Sequence, residues 1–370
     1  MIIVTIIAFI VIFSVIVLIH EWGHFTMARR AGIQVEEFGI GFPPRAKIFY
    51  RDKKGTAYSI NWIPMGGFVR LHGEDSLDPK MLRDKKSFIG KSLWQRTAVI
   101  VAGVAMNFVL AWALITVGFT VGMRPFLVTR EDVEQAIESG IAQTKPILYI
   151  HEVMEGSPAA QAGLEAQDII LEINQKMVPT AEEFLQTVEK NKANHLLVFR
   201  EGQEMMYQLT PNPEGLFGIS ISGERMITEI RDIKYPFYRA PLEAGKEIGR
   251  LSVLTVKMIG DVVVSLVSKL AIPEGIAGPV GIAKMTHTFV QQGFMAVLQF
   301  TALISVSLGV INIMPFPALD GGRLLFIIFE IILRRRPSPK WEGVIHTVGF
   351  GLLMLLILAV TWNDISNFMK

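Results

Sequence analysis

"LIHEWGHFT" (residues 18–26) follows a segment, Ile2 to Ile19, whose only polar side chains are Thr5 and Ser14. Such a run is long enough to cross the hydrocarbon core of a bilayer, which takes about 20 predominantly apolar residues. Ionisable groups are costly there, so His20, Glu21 and His24 call for a function. On a helix, residues four apart share a face, and two imidazoles can reach one ion. Glu21 stands beside them, placed to take a proton from an attacking water without ligating the ion itself. The bland alternative is a pair of histidines snorkelling to the interface.

The rest of the chain favours a membrane protein. Of 370 residues, 51% are hydrophobic, and the mean hydropathy is +0.40. A net charge of +2 gives no basic field for nucleic acid. Cysteine is absent, which removes disulfides and thiolate metal sites together. Three further stretches reach spanning length: Thr97 to Met123, Gly293 to Leu319 and Gly343 to Trp362. The first segment lacks the basic start and A-x-A-like cleavage site of a secretory signal peptide, so a retained membrane helix is expected.

Lys and Arg between the first and second spans, from Arg29 to Arg96, and between the third and fourth, from Arg323 to Lys340, put both connections on the cytoplasmic side. His20 and His24 then lie at the cytoplasmic end of their helix. The expected divisions are 1–27 for the first span, 28–95 for a cytoplasmic loop and 96–123 for the second span. After them come an extracytoplasmic domain at 124–223 and an amphipathic surface region at 224–292. A third, broken span at 293–333 and a fourth with the C-terminus at 334–370 complete the chain.

Within the cytoplasmic loop, "TAYSINWIPMGGFVRLHGE" (56–74) alternates apolar and polar residues on both sides of Pro64-Met65-Gly66-Gly67, the signature of a β-hairpin. Its apolar weight suits contact with the membrane. Between the second and third spans, "ILYIHEV" (147–153) and "DIILEIN" (168–174) read as strands. "TAEEFLQTVEKN" (180–191) reads as a helix with a Thr N-cap and Glu183 at N3. "HLLVFREGQEMMYQLTP" (195–211) reads as a hairpin turning at Glu201–Gly202. This order resembles a circularly permuted PDZ domain of the bacterial type, with "GLFGISI" (215–221) similar to the strand and loop that hold a peptide C-terminus. Gln167 and Gln175 stand where that pattern usually has glycine. A small α+β spacer that binds no tail is the alternative. Residues 242–270 carry Leu251, Leu254, Met258, Val262 and Leu266 at helical spacing, interrupted by charge, as an amphipathic helix on the outer membrane surface would.

A second costly cluster lies far along the chain. "NIMPFPALDGGR" (312–323) sets Asn312 and Asp320 in or beside a membrane segment broken by Pro315 and Pro317. Asp320 can provide the oxygen ligand that a two-histidine site needs, and the prolines allow side chains to be re-aimed. A helix cap by Asp320 would explain that residue alone, not both clusters.

"HEWGH" and "NIMPFPALDGG", together with "PMGGFVRLHGE" (64–74), "VAMNFVLA" (104–111) and "AGPVGIA" (277–283), resemble the site-2 protease family of intramembrane zinc metalloproteases. The similarity is greatest to the bacterial regulator-of-sigma-E protease branch and spans nearly the whole chain. It implies a polytopic α-helical membrane protein with four transmembrane helices, an inserted extracytoplasmic PDZ-like domain and a cytoplasmic-side β-hairpin. It implies Zn²⁺ held by His20, His24 and Asp320, with Glu21 as general base. Asn312 would donate a hydrogen bond to the oxyanion or to substrate backbone. Asn107 is either a polar contact near the site or a buried amide bonded to a neighbouring helix. The implied setting is the bacterial inner membrane, and the implied substrates are single-span proteins such as anti-sigma factors or signal-peptide remnants. A peptide C-terminus is the candidate ligand of the external domain, which would alternatively act as a size filter. Two rivals remain: a metal transporter, for which inverted repeats are lacking, and a silent scaffold, which would have no use for Glu21.

Overall fold

The apolar run at the start forms one unbroken helix, α1 (Ile2–Arg30), ending in Arg29 and Arg30, whose charge suits the negative end of the helix dipole. The computed structural model describes residues 2–74, 78–200, 202–269, 277–335 and 338–368. After α1 come two long strands, β1 (Val35–Arg51) and β2 (Ala57–Leu71), and then α2 (Leu93–Val121). Ser92 and Gln95 close the start of α2 in a capping box, with Gln95 N–H donating to Ser92 Oγ at 3.3 Å. Helices α1 and α2 approach closely at Gly23, where a Cβ would meet the backbone of Ala102 and Gly103.

The segment Arg124–Asp232 forms a unit of its own. It comprises α3 (Arg130–Glu138), β3 (Ala142–Val153), α4 (Pro158–Ala162), β4 (Ile169–Ile173), β5 (Lys176–Met177), α5 (Ala181–Thr187), β6 (Asn194–Arg200), β7 (Gln203–Leu209) and β8 (Ile219–Ile230). The strands order as β7-β6-β4-β3-β8, with β5 paired to β4. Leu148, Ile150, Ile170, Ile173, Phe184, Leu196 and Val198 form its core. Asp168 is fully buried there and is held by two hydrogen bonds from Arg200, at 2.6 and 2.7 Å.

Residues Met1–Met123 and Ile233–Lys370 form the other unit. Its second half contains α6 (Ala240–Lys269), α7 (Pro279–Gln291), α8 (Phe294–Ile313), α9 (Asp320–Leu333) and α10 (Pro339–Phe368). Among the described residues, four helices are long and apolar enough to cross a membrane, spanning Ile2–Arg30, Leu93–Val121, Phe294–Ile313 and Lys340–Ser366. Helix α6 packs on α2 and α8 with Ala240, Ala244 and Leu251 buried, and Trp112 of α2 donates to the Pro241 carbonyl at 2.9 Å.

Several expectations are corrected. The residues 56–74 do not fold back on themselves. Val35–Phe42 lies between Ala57–Ile63 and Gly67–Leu71 and registers with both, while Arg45–Arg51 pairs on the far side of Ala57–Asn61. The alternation in 57–71 was legible, but its partner, "VEEFGIGF", reads as a weak strand because of its glycines and paired glutamates. Those features have local reasons: Gly39 packs against Phe68, and Glu37 is buried and paired with Arg45 and Ser59. Burial alone would raise the Glu37 carboxyl, but the Arg45 and Ser59 hydrogen bonds outweigh it and hold the group below its usual range.

Two boundaries also move. Helix α5 stops at Thr187 rather than running to Asn191, because Val188 adopts an extended backbone. Strand β8 continues past residue 223 to Ile230, alongside β3 as far as Ala142. Helix α3, which begins at a Thr129–Asp132 capping box, was not anticipated. For the 195–211 hairpin, Glu201 lies outside the described residues, and β6 and β7 pair on either side of it.

Candidate metal centre

His20 and His24 sit one turn apart on α1 and are both buried, 7% and 8% exposed. Asp320 opens α9, carried there by the Pro315–Leu319 break after α8. Its neighbours explain the Gly pair. A Cβ on Gly321 would strike the carbonyls of Ile313 and Met314, and one on Gly322 would lie 3.0 Å from the Phe316 carbonyl carbon. Only glycine lets the first turn of α9 fold back this tightly over the break.

His20 Nε2 and His24 Nε2 are 3.1 Å apart, and Asp320 Oδ2 lies 3.0 and 3.2 Å from them. His24 Nδ1 lies 2.8 Å from the Val99 carbonyl, which can only accept. In the neutral ring the proton is therefore on Nδ1, and Nε2 presents its lone pair to the triangle. When His20 Nε2 presents its lone pair as well, as its Asn107 contact allows, three acceptor atoms this close repel one another unless a cation lies among them. Zinc bonds of about 2.0–2.2 Å in tetrahedral geometry set neighbouring ligands about 3.3 Å apart. The observed edges match that spacing, so the residues present fit a zinc ion. Among the described residues, His20, His24 and Asp320 are the group with metal-binding geometry.

The surroundings hold this triangle in place. A Cβ on Gly103 of α2 would collide with the His24 ring, coming within 2.8 Å of Cδ2. Asn107 is buried, with its amide nitrogen 3.4 Å from His20 Nδ1 and its Oδ1 without a partner. Amide nitrogen and oxygen are alike in shape. With the amide turned, Oδ1 accepts from His20 Nδ1–H, which frees the His20 Nε2 lone pair for the ion. Asn107 is thus beside the site, and its own carbonyl accepts from Ser305 of α8 at 2.8 Å.

Glu21 faces the same space. Its Oε2 accepts from the backbone N–H of Val69 at 3.0 Å. A cavity of about 900 Å³ is lined by His20, Glu21, His24 and Asp320, with Val69 on one wall and His346 on another. Ion pairs lie along it: Arg96 with Glu330 at 2.7 Å, and Arg323 with Glu74. Asn312 sits half-buried in the last turn of α8 and is not among the lining residues. In the sequence neither Val69 nor His346 has a role at the site: Val69 acts through its backbone, and His346, the only titratable residue of the fourth apolar span, carries no pattern.

A family model described as Peptidase family M50 matches residues 8–356. The chain belongs to peptidase family M50. In sequence this M50 protein is 31% identical to the zinc metalloprotease RasP of Oceanobacillus iheyensis, across 98% of this chain and 99% of that one. It is 32% identical to a putative zinc metalloprotease of Clostridium acetobutylicum, across 95% of each chain. The regulator of sigma-W protease RasP of Bacillus subtilis is 29% identical across 98% of each. M50 membership makes the protein a membrane-embedded zinc metalloprotease of the site-2 type.

Proposed function

We propose that this M50 protease cleaves single-span membrane proteins, of the class of anti-sigma factors and signal-peptide remnants, within or beside the bilayer of the bacterial inner membrane. The observation that carries this reading is the triangle of His20 Nε2, His24 Nε2 and Asp320 Oδ2 with Glu21 beside it, at the end of a membrane helix. In this reading His20, His24 and Asp320 hold the zinc. The ion supplies Lewis acidity, lowering the pKa of a water toward neutrality and polarising the scissile carbonyl. Glu21 takes the proton of the attacking water and delivers it to the leaving amine nitrogen as the C–N bond breaks. Val69 occupies Oε2, which leaves Oε1 as the proton acceptor. Asn312, eight positions before Asp320 on the far side of the break, is assigned to hydrogen-bond the oxyanion or the substrate backbone.

A transmembrane substrate hides its amides and must unwind before attack. The strand edge at Gly67–Leu71, next to Glu21, is where an unwound segment would pair by β-augmentation. The exposed Ile40, Phe42, Ile60, Trp62 and Ile63 support a sheet in contact with lipid. The Lys and Arg distribution supports a site toward the cytoplasm, with residues 124–232 outside. That outer unit, read as PDZ-like, would bind a peptide C-terminus or exclude substrates whose outer domain is untrimmed.

Purified protein incubated with a model single-span substrate tests the reading. Cleavage should stop with a zinc chelator and return with added zinc. Cleavage that persists in the metal-free protein would refute it.

A further inference from the structure

The turn that delivers Asp320 carries an unusual strain. Phe316, Pro317, Ala318 and Leu319 form a β-turn closed by Leu319 N–H to the Phe316 carbonyl at 3.2 Å. Pro317 is at the second position, and Ala318 at the third has φ +81°. A type II turn needs positive φ there and usually takes glycine or asparagine. An alanine in this left-handed conformation is strained, because its Cβ crowds the following carbonyl oxygen. Something must hold it.

What holds it comes from the fourth long apolar helix. The Ala318 N–H donates to Nδ1 of His346 on α10 at 3.0 Å. The ring of His346 lies against Phe326 of α9, with centroids 5.4 Å apart. One turn along α10, Gly349 is buried against Pro317, so closely that a Cβ would come within 2.8 Å of the Pro317 carbonyl oxygen. Helix α10 therefore grips both central residues of the turn, Pro317 by contact and Ala318 by hydrogen bond. Asp320 follows two residues later.

We infer that His346 is a positioning residue for the metal centre: by accepting the Ala318 N–H it fixes the strained turn that aims the Asp320 carboxylate at His20 and His24. This rests on Asp320 being a zinc ligand. Groups that orient a ligand typically change metal affinity about 10–100-fold when lost. The role needs an acceptor at the Nδ1 position, not an ionisable ring. Asparagine can supply one, because its Oδ1 is bonded to Cγ as Nδ1 is in histidine.

The test is zinc affinity of the detergent-purified full chain, by competition with a chromophoric chelator, beside thermal melting of the metal-free protein. Four variants are compared with wild type: His346→Phe, His346→Asn, Gly349→Ala and Asp320→Ala. His346→Phe should bind zinc about 10-fold or more weakly with unchanged metal-free melting, and His346→Asn should restore binding close to wild type. Gly349→Ala, which keeps the imidazole in the sequence but pushes α10 and its His346 ring away from the turn, should weaken zinc as well. Normal affinity in His346→Phe, or failure of His346→Asn to restore it, would overturn the inference. Should His346→Phe not fold, normal affinity in Gly349→Ala would overturn it instead. Full zinc binding in Asp320→Ala would show a different failure, that of the ligand assignment itself.

Discussion

The Val69 backbone N–H donates to Glu21 Oε2 at 3.0 Å, tying the proposed general base on α1 to an edge strand 48 residues away. Val69 registers with Phe38 on its other side, so this N–H is turned out of the sheet and toward α1. A strand residue whose N–H leaves the ladder tolerates proline. Val69→Pro should therefore keep the sheet and zinc yet lower the cleavage rate about 10-fold or more, the scale of a lost hydrogen bond to a charged group. Val69→Ala should stay near wild type. Equal rates in the two variants, measured at saturating substrate, would show that the amide does not orient Glu21.

The long apolar helices, and the residues His20, His24 and Asp320 that the structure brings together, were legible because each obeys a short-range rule. Long uncharged runs give spans, i and i+4 histidines share a helix face, and an intramembrane Asp beside a Pro break is hard to explain otherwise. Relationships made by backbone or by distant packing were not legible. Strand Val35–Phe42 inserts between two segments that look like a hairpin by themselves, and no local pattern records that. The His346 contact with Ala318 spans 28 residues and depends on a turn conformation that alanine rarely adopts.

The two glutamines noted at glycine positions of the PDZ pattern do occupy glycine conformations. Gln167 has φ +78°, and the turn between β4 and β5 is built from Asn174 at φ +49° and Gln175 at φ +63°. Asn-Gly is the favoured pair for such a turn. Gln175→Gly relieves left-handed strain and should stabilise the unit by about 1 kcal/mol after the entropy of glycine is subtracted. Calorimetry of the full protein reads this as a higher transition for residues 124–232. A lower transition would contradict it.

His72 is gripped on both sides, with Nδ1 2.8 Å from Glu36 and Nε2 3.1 Å from Asp84. The Glu36 carboxylate, aided by Asp84, raises its pKa above the ordinary 6.5 despite partial burial. A raised folded value means that the stabilisation is fully present below the unfolded pKa and is lost as pH rises through the folded one. Residues 78–88, anchored here by the Phe88 N–H to the His72 carbonyl, should open more readily at alkaline pH. Amide exchange of this segment, measured from about pH 6 to 9 and corrected for intrinsic rates, should show falling protection. His72→Gln should flatten the trend. A trend that persists in His72→Gln would assign it elsewhere.

The orientation proposed from Lys and Arg is open to a labelling test on a clean background, because the chain has no cysteine. A cysteine at Lys53 should resist an impermeant thiol reagent in intact cells, and one at Lys190 should react. The reverse pattern would put the metal centre toward the outer side.

The most direct test of the proposed chemistry is Glu21→Gln, with zinc content and substrate cleavage read on one preparation. The substitution keeps size and the oxygen that accepts from Val69 but removes the base. The expected result is a folded variant that retains zinc, still captures a single-span substrate, and cleaves it at least ~100-fold more slowly. Cleavage at a near-normal rate, or loss of zinc, would contradict the assignment of Glu21 as a base that does not bind the metal.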